Sequence, residues 1–151
     1  MARLIVNDVS PIVYKVSLGS FDTHANQLVR HESLLDQLAV GLSVFRRVLK
    51  QAGKWDDTLV MTYSEFGRRA TENASAGTDH GTAAPVLLLG GRVNGGLLGR
   101  QPSLRDLENG DLRFAVDFRS VYNSVARQWL RREPAGSRFA QFEQLPLVRP
   151  G

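Results

Sequence analysis

The sequence predicts an α/β fold, a parallel-sheet core with flanking helices, on three observations. Short runs rich in β-branched and aromatic residues recur at residues 12–18, 58–63 and 85–89. A long stretch with helical spacing separates the first two runs, and a second helical pattern follows the third. Each run also ends against polar residues capable of chemistry. Strand, helix, strand, loop, strand, helix is the alternation that builds a parallel sheet with helices on its faces. Ligands of such sheets bind beyond the carboxyl ends of the strands, so the polar stretches should share one edge.

Residues 1–11 hold one apolar run, Leu4-Ile5-Val6, between polar neighbours and Pro11, and read as a short N-terminal segment. Ile12 to Leu18, closed by Gly19, has the pattern of a first strand. Over residues 26–51, Leu28, Leu34, Leu35, Leu38, Leu42, Phe45, Val48 and Leu49 recur every three to four positions and predict a helix with one buried face. Gly53 supplies its stop. A second strand over residues 58–63 runs into Ser64-Glu65, and residues 68–85 are polar and small enough to be a surface loop. Pro85 to Leu89 reads as the third strand, the Gly-rich stretch 95–99 as a hairpin-like excursion, and residues 102–110 as irregular or one helical turn. Asp117 is placed to cap a final helix carrying Val121, Val125 and Trp129 on its apolar face and ending before Glu133-Pro134. The domain thus spans residues 12–132, followed by an irregular tail over 133–151.

A chain of 151 residues with 42% hydrophobic content is long enough for one domain with a core. Its 19 basic against 15 acidic residues are spread thinly and gather only late, which argues against nucleic acid as a partner. With no cysteine, disulfides and thiolate chemistry are excluded, and a metal must be held by nitrogen or oxygen. No apolar run approaches the ~20 residues of a membrane span, and no signal-peptide pattern opens the chain. As written, the chain is expected to be cytoplasmic.

Three stretches carry candidate chemistry: Phe21 to His24, Ser64 to Arg68 and Thr78 to Gly81. Asp22 and His24, two apart in extended chain, point the same way and can grip one ion. A bland alternative has Asp22 capping the helix and His24 solvated. Glu65 offers an oxygen ligand or base, and Arg68 a planar fork for an oxyanion, or the two form a surface ion pair. Asp79-His80 in a small polar loop fits ligation better than packing. His31, inside the long helix, reads as solvated or capping. Two histidines with carboxylates and no thiolate suit a divalent ion, zinc first, with manganese or calcium open.

Gly19 to Gln27, Tyr63 to Arg69, Glu72-Asn73, Gly77 to Ala83 and Asp117 to Tyr122, in that order, resemble the blocks of the bacterial domain-of-unknown-function family 1501. That family is placed in the alkaline phosphatase and sulfatase superfamily, so the resemblance implies a metal-dependent hydrolase fold acting on phosphate or sulfate esters. It assigns Asp22 and His24 to one metal-binding block, Glu65 to the acidic block after a strand, and His80 to the late histidine ligand. Asp79 is either a ligand or a partner orienting His80. Full-length relatives are often exported. The superfamily also carries a further metal-binding aspartate and a hydroxyl nucleophile on N-terminal strands, which residues 1–11 do not match. The chain is therefore expected to be the C-terminal portion of such a domain, its nucleophile unassigned. Two functions follow: an ester hydrolase, or a non-catalytic remnant that pairs with a complementary N-terminal chain or with its own copy.

Overall fold

A computed structural model describes residues 1–9, 11–134 and 137–150. Its elements are α1 (Ala2–Val6), α2 (Gln27–Gln51), β1 (Leu59–Met61), β2 (Gly67–Glu72), β3 (Thr78–Gly81), β4 (Leu88–Gly90), β5 (Leu107–Glu108), β6 (Asp111–Leu112), α3 (Phe118–Gln128) and α4 (Ser137–Ala140). Helix and strand are mixed, as the sequence predicts. The pairing is different: among the described residues every strand pair is antiparallel, in three two-stranded sheets. Sheet β1–β4 joins the predicted second and third strands, with Val60 opposite Leu89.

Why no parallel core forms is visible at residues 12–18. Among the described residues the segment forms no strand and makes no backbone hydrogen bond to another segment, leaving Ile12, Val13 and Val16 at 66%, 68% and 70% exposure. A parallel sheet needs buried strands on both sides of each crossover, and here the first of them stands outside the packing. Helix α2 runs where its periodicity places it, and Gly53 takes φ +68° in the left-handed conformation expected of its stop. Its apolar face is only partly covered: Leu34 and Leu49 are buried, while Leu28 and Leu35 are exposed. The short apolar run near the start forms α1, which packs on α2, and Asp8 pairs with Lys54 at 2.7 Å.

The predicted loop over 68–85 is instead a hairpin. β2 and β3 place Gly67 opposite Gly81 and Arg68 opposite His80, with a register shift before the Glu72–Thr78 pair. Residues 107–112 form a second small hairpin, not an irregular stretch, turning at Asn109 and Gly110 with φ +53° and +84°. Two positive φ values are what a tight two-residue hairpin turn requires. The Gly-rich stretch 95–99 forms no hairpin; its flank Val93 bridges to Val148.

Asp117 caps α3 as expected, its side chain accepting from the Arg119 amide at 2.9 Å. The tail is not peripheral. Leu147 and Val148 are buried with Val121, and Leu59, Met61, Leu88, Val125, Trp129 and Leu145 pack around them. Gln128 fixes that strand-like tail by donating to the Leu145 carbonyl and accepting from the Leu147 and Val148 amides. The Leu147 amide also donates to the Leu145 carbonyl at 2.8 Å, a tight turn that carries the adjacent Leu147 and Val148 into the core.

Candidate metal centre

Two segments far apart in sequence meet at the mouth of α2. Residues 21–26 lead into its N-terminus, and the β2–β3 hairpin closes over them. The first helix amides lack a side-chain cap and are satisfied by the hairpin turn instead: Asn26 donates to the Ser75 carbonyl at 3.0 Å and Gln27 to that of Ala76 at 2.9 Å. Satisfying these orphan donors from another element locks the helix entry to the turn. Asn73 organises the turn itself. Its side-chain oxygen accepts from the Ser75 and Gly77 amides, and its nitrogen donates to the His24 carbonyl at 3.1 Å.

The result brings Asp22, His24 and His80 together. Asp22 Oδ1 lies 3.0 Å from His24 Nε2 and 2.8 Å from His80 Nε2, and the two imidazole nitrogens are 3.2 Å apart. All three residues are exposed, so the triangle opens to solvent. The hydrogen bond with His80 holds the Asp22 carboxyl below the usual aspartate range, with slight burial acting the other way and the histidines' charges reinforcing the shift. The ionised form, the one able to ligate, is therefore favoured.

Around the triangle, each neighbour has a definite task. Phe66 stacks on His80 with centroids 3.7 Å apart and an 8° interplanar angle. Asp79 stands outside the trio but faces His24 Nδ1 at 3.5 Å, and it accepts from Asn73 at 3.3 Å, the contact that chiefly lowers its carboxyl's proton affinity. Asp79 thus meets one nitrogen of the His24 ring and His80 the other.

Arg68 is only 16% exposed; it donates to the Thr78 and Phe21 carbonyls at 2.5 and 2.6 Å and lies 3.9 Å from Asp22. Its fork braces the segment carrying Asp22. Glu65 stands exposed in the bend before β2 and lies outside the triangle, and Arg69 pairs with Asp111 at 3.5 Å. Asn73, Phe66 and Thr23 lie in stretches the sequence singles out, but the sequence assigns them no role of their own. Only Asn73 left a signal, as an asparagine beside a glycine-bearing polar turn.

A family profile described as "Protein of unknown function (DUF1501)" matches residues 1–112. The chain belongs to this family. The match covers the Asp22, His24, Glu65 and His80 blocks of this DUF1501 member and ends before the Asp117 block. Searches of curated proteins and of solved structures find no match. No helix among the described residues is long and apolar enough to cross a membrane.

Proposed function

We propose that Asp22, His24 and His80 hold a divalent metal ion, zinc first, in a hydrolase-like domain of the phosphatase/sulfatase type. The observation that carries this reading is the triangle of ligand atoms with edges of 2.8, 3.0 and 3.2 Å. Ligands about 2.0–2.1 Å from a tetrahedral ion lie about 3.3 Å from one another, so only small adjustments seat zinc. Two imidazoles and a carboxylate with an open side also match the donor set of catalytic zinc sites. Calcium, which takes six to eight oxygens, fits this set poorly, and manganese is the second candidate.

An ion held by Asp22, His24 and His80 would supply Lewis acidity toward an ester oxygen. The chain's own residues orient and tune: Asp79 holds the His24 ring, Phe66 holds the His80 ring, and Arg68 braces Phe21 while adding positive charge beside the centre. In this reading the chain is the C-terminal portion of an alkaline-phosphatase-like domain, with the nucleophile on another segment of polypeptide. The order of sequence blocks supports that assignment. Metal analysis of the purified chain and of His80→Ala, with assays on aryl phosphate and aryl sulfate esters, tests it. Metal content unchanged in His80→Ala removes His80 from the centre.

A second reading is a non-catalytic subunit that keeps the fold and binds a partner chain. The apolar segment 12–18 favours it: it is exposed and forms no strand pairing among the described residues, so its backbone is available to a strand of another chain. Ester turnover by this chain alone would sink it.

A further inference from the structure

His31 reads from sequence as a solvated helix residue, yet it is half-buried, and its surroundings give it a task. Its Nε2 lies 2.9 Å from Thr23 Oγ1, and the edge of Phe21 meets its ring at 5.8 Å. Thr23 is 2% exposed and sits between Asp22 and His24 in the chain. One helical turn before His31, Gln27 faces the same ring at 3.4 Å and accepts from Thr78 Oγ1 at 2.7 Å. Thr78 immediately precedes Asp79-His80.

We infer that Gln27 and His31 are positioning residues that set the distance between the two ligand-bearing segments. The inference deepens the metal-centre reading and rests on it. Residues four apart share a helix face, so one face of α2 holds both Thr23 and Thr78. The hydroxyl of Thr23 meets His31 while its neighbours Asp22 and His24 meet at the triangle, and the Thr23 amide donates to the Phe21 carbonyl at 2.9 Å, a tight turn around Asp22 that separates the two directions. Fixing Thr23 fixes the outward direction of Asp22 and His24 together. Fixing Thr78 anchors the strand that presents His80. Neither Gln27 nor His31 touches the ion position.

Zinc titration against a chromophoric competitor, on the full chain, is the test. Thr23→Val keeps the shape and removes the hydroxyl, and His31→Ala removes its partner. Each should weaken zinc binding about 10-fold or more, the usual loss when a group supporting a ligand is removed. Thr23→Ser should restore wild-type affinity, a rescue that a merely structural loss of the methyl would not give. Wild-type zinc affinity in Thr23→Val and His31→Ala overturns the inference and leaves the metal centre standing. Should the unmodified chain bind no zinc, the metal-centre reading fails instead. The imidazole resonances of His24 and His80 in the metal-free protein then decide: a shift in Thr23→Val relative to Thr23→Ser upholds the positioning role, and unchanged resonances overturn it.

Discussion

Gly77 passes so close to His24 that a Cβ at position 77 would stand 2.5 Å from the His24 carbonyl carbon and oxygen. Both contacts are backbone, which cannot swing aside as a side-chain tip can. Gly77→Ala should therefore push the hairpin turn away from the helix entry. The expected result is a loss of about 1–3 kcal/mol in urea unfolding, the usual cost of overpacking, together with weaker zinc uptake. Stability and uptake both unchanged would show that the two segments have slack.

Phe66 gives His80 a flat wall. Replacing it by leucine keeps apolar bulk but removes the stack, which is worth about 0.5–1.5 kcal/mol in aromatic pairs. Zinc affinity should fall roughly 2- to 10-fold while the unfolding midpoint changes little, as read by competitor titration and urea denaturation.

Asp79 and Asp22 should separate cleanly by magnitude. Asp22→Asn removes a ligand and should abolish stoichiometric zinc in metal analysis. Asp79→Asn removes only the carboxylate facing His24 and should leave stoichiometric metal bound about 10- to 100-fold more weakly. Equal losses in the two variants would promote Asp79 to a ligand.

Stability should depend on acidity through Asp117. The paired hydrogen bonds from Arg119, at 2.6 and 2.8 Å, hold this carboxyl below its ordinary range, with burial opposing. A carboxyl with a depressed folded value stabilises the fold above the ordinary value of about 3.9 and loses that contribution as the pH falls through the folded value. Asp117→Ala should cost about 0.5–2 kcal/mol near neutral pH. The gap from wild type should narrow below about pH 4, as measured by urea unfolding across pH.

Self-association should track the apolar segment 12–18. Val13→Lys with Val16→Lys places charge on this exposed apolar segment, a change that opposes strand addition. Sedimentation should show concentration-dependent association in the wild type that the double variant loses. A monomer at all concentrations would remove a second copy as the partner of this segment.

Much of the fold was legible where local physics decides it. Helical spacing placed α2, a carboxylate before an apolar pattern placed α3, and Gly53 marked a left-handed turn. Strand direction was not legible, because β1 and β4 read the same whether parallel or antiparallel; only the chain between them selects the direction. The β5–β6 hairpin did leave a signal: Asn109-Gly110 is the strongest short turn sequence for a hairpin, and it was read as irregular. At the site, Asp22, His24 and His80 could be picked out by residue type and placement. Glu65 could not be separated from them, since nothing local tells how far a bend carries a side chain from a triangle built elsewhere. His31 was misjudged for a related reason: its partner Thr23 lies eight residues earlier, across a turn whose geometry the sequence does not print.

Leu147 and Val148 reach the ribosome's exit long after Val121, yet they are the residues that seal its core. Val121 and its neighbours must therefore wait, uncovered, through the synthesis of α4 and the residues beyond it. This half therefore cannot complete its core until residue 148 has emerged, and a stalled or clipped product lacking Leu147 and Val148 would leave the apolar face around Val121 uncovered.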